Sequence, residues 1–321
     1  MEASCGRPLG LRVLPGLSSP YGSLLIAEAT RGVMEMDLAF PHATKMRVRR
    51  EQHGLTLVND LDVDLERGIA YFTNTGRHER REIHKTLLGA LAVAAPARTP
   101  LTPRLPPEAA PTGGLYRLDL RNNAVSEVAG GLVMPNGVQL TPDRKHALVV
   151  STAHSRVDKI DVDTGEVARW ATDLQGLPDN IRPAGARGTY LVGLGSKRAL
   201  PFSLVQLLAP WPMLRDLVAW LPLSVTASLL PKYGLVAELG ADGEVLQYLH
   251  DPSGAAHQLS GADVHGGYLW LGSWKLPFVA RTKCCGFGDD WAGLPPEGEG
   301  ATSASTTAAE EWLELTEDEN D

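Results

Sequence analysis

Several features that mark membrane, secreted and metal-cluster proteins are missing from this sequence. No run of 18 uncharged apolar residues occurs without proline, so the sequence predicts no transmembrane helix. The first residues, MEASC, lack a basic stretch followed by an apolar one, which is the pattern of a signal peptide. The three cysteines, Cys5, Cys284 and Cys285, form no CxxC pattern, which argues against a disulfide framework and against a zinc site.

Basic residues are absent after Lys283, whereas 11 Asp and Glu residues follow it. Residues 1–283 carry 30 basic and 27 acidic side chains, a net charge of +3, although the whole chain has a formal charge of −8. A nearly neutral body gives no electrostatic basis for nucleic acid binding, so we expect no nucleic acid partner. Residues 284–321 are acidic and poor in large apolar groups, which predicts a disordered tail behind one folded domain, 1–283.

The 33 glycines and 23 prolines fit a chain of many short strands and turns. A strongly apolar strand follows a weaker one in five places, with the sequences SLLIA (23–27), IAYFT (69–73), ALVVS (147–151), TYLVG (189–193) and YLWLG (268–272). Repeated strand units spaced about 45 residues apart are typical of β-propellers. The sequence therefore predicts an all-β propeller with five units.

Two insertions interrupt the repeat. Residues 76–112 begin with a charged run and continue into an Ala-, Pro- and Thr-rich stretch, which predicts a surface loop. Residues 196–232 have apolar side chains near helical spacing, broken by prolines, which predicts two short helices. We interpret these helices as a cap on the propeller; the alternative is a lid or a peripheral membrane contact.

Three segments place an oxygen-bearing side chain just before a buried strand. They contain Asn59, Asn136 and the pair Asp179–Asn180. Because the inner strands of a propeller begin at one mouth of the channel, these side chains are expected to converge there. A ring of Asn and Asp oxygens suits calcium, which takes six to eight oxygen ligands. Pro-Asn-Gly and Pro-Asp-Asn are also ordinary turn sequences, but three such segments at equivalent positions favour the metal interpretation.

Of the nine histidines, only His53 and His265 lie near predicted strand starts on the channel side. Either could carry a proton in catalysis, and His265 is the stronger candidate. The alternative is a hydrogen-bonded histidine with a structural role only.

A set of motifs, in order along the chain, resembles one family. They include CGRPLG (5–10), VNDL (58–61), PNGVQL (135–140), LPDNIRP (177–183), LHDP (249–252) and LGSW (271–274). Together they are similar to the strictosidine synthase-like proteins, most closely to the adipocyte plasma membrane-associated protein branch. The resemblance implies a six-bladed β-propeller related to paraoxonases, gluconolactonases and regucalcin. It also implies arylesterase-type hydrolysis, a location in the endomembrane system or at a membrane, and a channel calcium bound by Asn59, Asn136, Asp179 and Asn180.

The chain departs from this family pattern at two places. The family's first blade and membrane anchor would lie before Cys5, so we expect about five of six blades and an apolar face exposed on each side of the gap. Strictosidine synthase has a catalytic Glu just before its last Leu-Tyr-x-Gly strand, and by alignment Val264 takes that place here. Valine cannot transfer a proton, which argues against strictosidine-type condensation. The neighbouring Asp263 should point to the opposite face of its strand.

These observations predict a calcium-dependent hydrolase that acts on small-molecule esters or lactones. The alternative is a non-catalytic propeller scaffold that binds a partner or a lipid through residues 196–232.

Overall fold

A computed structural model describes residues 6–15, 21–42, 44–78, 111–185, 188–197 and 230–283, together with single positions between 214 and 225. The described residues form 19 strands in five antiparallel sheets, which we name blades A to E in chain order. Within every blade the strands pair in the order in which they occur along the chain.

Blades A to D have four strands each, and blade E has three. Blade A contains β1 (Pro8–Leu14), β2 (Ser23–Glu28), β3 (Gly32–Asp37) and β4 (Thr44–Arg49). Blade B contains β5 (Val58–Asp64), β6 (Ile69–Asn74), β7 (Gly113–Asp119) and β8 (Val125–Leu132). Blade C contains β9 (Pro135–Leu140), β10 (His146–Ser151), β11 (Arg156–Asp161) and β12 (Val167–Ala171). Blade D contains β13 (Gly176–Pro183), β14 (Tyr190–Lys197), β15 (Gly234–Leu239) and β16 (Val245–Asp251), and blade E contains β17 (Leu259–His265), β18 (Tyr268–Ser273) and β19 (Ala280–Thr282).

The first strand of each blade is the inner one. Contacts join β1 to β5, β5 to β9, β9 to β13 and β13 to β17 in turn, while no comparable contact joins β17 to β1 among the described strands. This arrangement confirms the predicted all-β propeller and its five units. The five strands that the apolar repeat predicts are β2, β6, β10, β14 and β18, the second strand of each blade.

The second strands of blades B to D are almost continuously apolar because both of their faces are covered. Phe72 of β6 points into the core between blades A and B, and its neighbour Tyr71 points into the core between blades B and C. Leu191 and Val192 of β14 divide in the same way between the core shared with blade E and the core shared with blade C. Face-to-face packing of successive blades therefore builds the four large apolar clusters of the described residues.

The two outward faces at the ends of this arc differ in chemistry. On blade A the strand register aligns seven apolar side chains on one face: Leu11, Val13, Leu24, Ile26, Met34, Met36 and Met46. Leu11 is 46% exposed and Val13 is 62% exposed. On blade E the corresponding face carries rings and cations, with the Arg281 guanidinium 4.9 Å from the ring centroid of Tyr268 and 5.5 Å from that of Trp270. The expected apolar face is therefore present on blade A, whereas blade E presents a mixed surface.

The predicted insertions and tail fall mostly outside the described residues. These are positions 79–110, most of 198–229, and 284–321. Within the second insertion, the helical positions that the structure describes are Leu214, Leu217, Val218, Trp220 and Val225. No helix in the described part of the chain is long and apolar enough to cross a membrane.

Candidate functional site

Two inner strands, β9 and β13, approach each other closely where predicted metal ligands lie. Asn59 is the second residue of β5 and Asn136 the second residue of β9, and Asp179 and Asn180 lie within β13. A β-carbon on Gly137 would lie only 2.6 Å from the Asn180 Cα atom. Glycine is therefore required at position 137, because any side chain there would push β9 away from β13.

Asn59 and Asn136 are held in the same way. The Asn59 Nδ2 atom donates to the Thr75 hydroxyl at 2.9 Å, and the Asn136 Nδ2 atom donates to the Thr152 hydroxyl at 3.2 Å. Both threonines lie 16 residues after their asparagine, so blades B and C repeat one local design. Because each amide nitrogen is directed to a threonine hydroxyl, the oxygen of the same amide points away from that threonine.

The oxygen of Asn136 has an unusual environment. Asn136 is only 7% exposed, and its buried Oδ1 atom accepts no hydrogen bond from any residue that the structure describes. A buried amide oxygen without a donor costs about 1–3 kcal/mol, so such groups are rare in folded proteins. This atom is the feature that points most directly to a bound cation or water.

The remaining predicted ligands, Asp179 and Asn180, are half-buried. Asn180 donates its Nδ2 to the Ser260 carbonyl of β17 at 2.9 Å, which again leaves its side-chain oxygen turned away. The four residues offer three amide oxygens and one carboxylate, a hard-oxygen set that fits calcium. Within the described ranges, no three His, Cys, Asp or Glu side chains cluster as a metal site. A calcium site here would therefore rest mainly on amides.

Further along the channel, two arginines fill the space between the inner strands. Asp60 of β5 is fully buried, and the Arg182 side chain crosses from β13 to bind it through two nitrogens, at 2.8 and 3.0 Å. Arg12 of β1 donates its Nε to Asp62 at 3.0 Å and approaches Asp60 to 3.9 Å. Blade B is thus tied to blade D, and blade A to blade B, by ion pairs.

Asp60 and Arg182 each shift the pKa of the other towards its charged form. Burial opposes ionisation of Asp60, but Arg182, Arg12 and the Val138 N–H outweigh it and lower the pKa of Asp60. Burial likewise works against the Arg182 cation, yet Asp60 raises the pKa of Arg182 above its usual value. Asp60 and Arg182 are therefore both charged at neutral pH and form an ion pair between blades B and D.

A cleft opens next to this network on the outer face of blade E. It has a volume of about 190 Å³ and is lined by Asn180, Arg182, Gly261, Ala262, Asp263, Trp270, Gly272 and Val279. Asp263 faces the cleft, whereas Val264 packs into the core between blades D and E. The two residues do point to opposite faces, as expected, but Asp263 is the one that faces the open side.

The two histidines predicted as proton carriers are both exposed. His265 ends β17, five residues beyond Ser260, which corresponds to about 16 Å along the strand. His53 ends a 3-10 turn, Arg50–His53, that leads from β4 towards β5. The structure does not bring His265 to the asparagines, and a catalytic role for either histidine stays a prediction.

A third histidine, which we did not predict from the sequence, lies in the turn that holds the hydrogen-bond partner of Asn136. His154 follows β10 in the same short turn as Thr152, the partner of Asn136. Its Nδ1 is 3.3 Å from the Ser151 hydroxyl, which itself donates to the Val133 carbonyl. The serine hydroxyl therefore accepts from His154, and the Nε2 atom carries the basic lone pair. Burial and then Arg156 lower the pKa of His154, so it is neutral at pH 7.

One family model and several known proteins are similar to this chain over most or more than half of its length. The family model for the SMP-30/gluconolactonase/LRE-like region matches residues 16–186. The adipocyte plasma membrane-associated protein of Salmo salar is 31% identical over 290 residues, which cover 87% of this chain and 64% of that protein. The human protein of the same name is 30% identical, with the same coverage. Protein STRICTOSIDINE SYNTHASE-LIKE 10 of Arabidopsis thaliana is 30% identical over 289 residues, 87% of this chain and 70% of its own length.

Solved structures share the fold at lower identity. Regucalcin from Agrobacterium tumefaciens, described as a calcium-binding protein, superposes with a TM-score of 0.51 at 13% identity and covers 83% of this chain and 68% of its own. A chain of the nidogen/laminin complex superposes with a TM-score of 0.52 at 10% identity and covers 85% of this chain and 74% of its own length. These similarities show the propeller fold alone.

Proposed function

Since the chain belongs to the SMP-30/gluconolactonase/LRE-like family, we propose that it is a calcium-dependent hydrolase of esters or lactones. The general class, a hydrolase, rests on family membership. Calcium and arylesterase-like specificity are the finer part of the proposal, supported by the side chains at the channel mouth.

The unpartnered Asn136 oxygen carries the metal assignment. It is buried, it belongs to a side chain held in place by Thr152, and it lies one residue from the contact between Gly137 and Asn180. In this proposal Asn59, Asn136, Asp179 and Asn180 bind calcium. A bound calcium ion supplies a Lewis acid for the substrate carbonyl.

The protein's own groups have separate roles. Asp179 contributes the one formal negative charge among the four proposed ligands, so metal affinity depends most on it. His154 offers a neutral imidazole, oriented by Ser151, as a proton acceptor. His265 and His53 remain weaker proposals for the same role, because both side chains are exposed.

The test is hydrolysis of an aryl acetate with and without a calcium chelator, together with a calcium titration by calorimetry. Wild-type protein should bind calcium and lose hydrolysis on chelation. Asn136→Leu should lower calcium affinity at least tenfold, because it removes one oxygen ligand. Leucine is close to asparagine in size, so it should fit the same buried position. Asn122→Leu, at an exposed asparagine in the β7–β8 turn, is the matched control. Equal calcium binding in both variants would contradict the proposed site.

A second candidate function, contact with a membrane surface, is favoured by the insertion. Trp220 is 86% exposed and Leu217 is 64% exposed. The relatives' name, plasma membrane-associated, supports the same proposal. Cosedimentation with vesicles should fall for the variant Leu217→Ser/Trp220→Ser and stay unchanged for Val245→Ser, which alters an exposed apolar residue of blade D. Equal vesicle binding by all three proteins would count against membrane contact through 196–232.

A further inference from the structure

Three threonine hydroxyls lie behind the two asparagines of the proposed calcium site. Thr73 belongs to β6, Thr75 directly follows that strand, and Thr152 directly follows β10, the equivalent strand of blade C. All three side chains are buried. A buried hydroxyl is almost always hydrogen-bonded, so the partners of these three show which neighbouring groups they hold.

Thr75 and Thr152 set the direction of the two asparagine amides. An asparagine side chain ends in an NH2 group and a carbonyl oxygen, which have nearly the same size but opposite hydrogen-bonding character. Shape alone therefore does not decide which of the two points away from the strand behind it. The Thr75 hydroxyl accepts from Asn59 Nδ2 at 2.9 Å, and the Thr152 hydroxyl accepts from Asn136 Nδ2 at 3.2 Å. Each hydroxyl thus takes the NH2 group and leaves the oxygen on the opposite side.

Thr73 holds the main chain of Asn136. Its Oγ1 donates to the Asn136 carbonyl of β9 at 2.6 Å and accepts from the Asp60 N–H of β5 at 3.2 Å. Because this hydroxyl uses both its hydrogen and a lone pair, it has no freedom to rotate, and it joins β5 to β9 one residue away from Asn59. Asn136 is therefore fixed at its main chain from blade B and at its side chain from blade C.

Two observations distinguish these threonines from buried threonines with a structural role only. The spacing of 16 residues between asparagine and threonine occurs in both blades, at the same place in each. The orientation that Thr152 imposes also leaves the buried Asn136 Oδ1 atom without a donor among the described residues. The described part of the fold gains no hydrogen bond from that oxygen, so its orientation serves a group other than the protein itself.

We propose that Thr73, Thr75 and Thr152 are positioning residues of the calcium site. Thr75 and Thr152 keep the amide oxygens of Asn59 and Asn136 available to the ion, and Thr73 fixes the distance between the two asparagines. None of the three hydroxyls is a ligand in this assignment. The inference rests on the proposed function, and it adds the residues that make an amide site present only oxygens to a cation.

The experiment compares Thr152→Val with Thr152→Ser by calcium titration calorimetry on the full chain. Valine has the shape of threonine without the hydroxyl, so the Asn136 amide loses its acceptor and is free to turn. Thr152→Val should lower calcium affinity about tenfold, the usual effect of losing a group that orients a metal ligand. Thr152→Ser keeps the hydroxyl and should stay within about threefold of wild type. The same pair of substitutions at Thr75 should give the same pattern through Asn59.

The matched control is Thr189→Val. Thr189 is a buried threonine whose hydroxyl donates to Glu238 at 3.0 Å within blade D, and no proposed ligand contacts it. Urea unfolding in calcium-free buffer should show similar losses of stability for Thr189→Val and Thr152→Val. Only Thr152→Val should lose calcium affinity, and a merely structural role would not produce that difference.

Thr73 is tested in the same titration. Thr73→Val should also lower calcium affinity about tenfold, because the asparagines are no longer held at a fixed distance, and Thr73→Ser should restore it. Unchanged affinity in the three valine variants, or equal losses in the serine and valine variants, would overturn the positioning role.

These outcomes are separate from the fate of the proposed function. If wild-type protein binds calcium and Asn136→Leu weakens it while Thr152→Val does not, the positioning role is refuted and the calcium site stands. If wild-type protein binds no calcium, both are refuted. Calcium binding with the expected pattern, but without hydrolysis of any ester or lactone, would support the positioning role and refute the hydrolase.

Discussion

Replacing Asp60 with asparagine should destabilise the protein strongly, because the change leaves Arg182 in the channel without its counter-ion. The Arg182 pair contributes two charge-assisted hydrogen bonds, at 2.8 and 3.0 Å, each typically worth about 1.5–3 kcal/mol. Loss of one partner of a buried ion pair usually costs about 3–5 kcal/mol. Both estimates lead to the same expectation, a loss of about 3–5 kcal/mol in the free energy of unfolding.

The assay is urea unfolding followed by tryptophan fluorescence. Asp263→Asn is the control, since Asp263 also lies on an inner strand but is exposed. It should change the free energy of unfolding by less than about 0.5 kcal/mol. The double variant Asp60→Asn/Arg182→Gln should recover part of the loss, because it no longer buries an unpaired Arg182. A loss below about 1 kcal/mol for Asp60→Asn would refute the claim that this pair braces the channel.

The pH dependence has a defined sign. The folded-state pKa of Asp60 is below its unfolded value, so its stabilisation is fully present above the unfolded pKa of about 4. It is lost as the pH falls through the folded-state pKa. The difference between wild type and Asp60→Asn should therefore be constant from about pH 6 to 8 and should shrink in acid.

Three further predictions follow from the same structure. Gly137→Ala should lower the free energy of unfolding by about 1–3 kcal/mol and weaken calcium binding, because the new methyl group would meet the β13 backbone; circular dichroism melts and calorimetry measure the two effects. Asn136→Asp should tighten calcium binding by adding a second formal charge, and weaker binding would count against the ligand set. Removing residues 284–321 should shift the melting temperature by less than about 4 °C, and a larger drop would show that this acidic segment packs on the propeller.

The fold was predictable because its information is local and repeated. Stretches such as 69–73 and 147–151 must be apolar throughout, since both faces of a second strand are covered by neighbouring blades. The strand register then places Asn59 and Asn136 at equivalent inner positions, which a motif comparison within one sequence can detect. The propeller, its five units and the strands that hold the candidate ligands were therefore accessible from the sequence.

The ion-pair network was not predictable in this way. Asp60 and Arg182 lie 122 residues apart, and their contact depends on the curvature of the whole arc rather than on any local pattern. The sequence does contain one hint of it: charged residues occur in inner strands, where most neighbouring residues are buried. Charged residues are rarely buried unless they are paired. Strand alternation also predicted that Asp263 and Val264 face opposite ways, but it cannot tell which face is open.

The channel-crossing arginines also have a consequence for the order of folding events. Arg182 reaches Asp60 over 122 residues, and Arg12 reaches the Val138 carbonyl over 126. Neither contact can form until the blades between the partners have assembled, which is the kind of long-range closure that makes β-rich domains fold slowly. Until then the Asp60 carboxylate must stay hydrated. The centre of the channel should therefore form late in folding, after the cores between the blades have packed. Substitutions at Asp60 should accordingly speed unfolding far more than they slow folding, whereas substitutions at Phe72, in the core between blades A and B, should affect both rates.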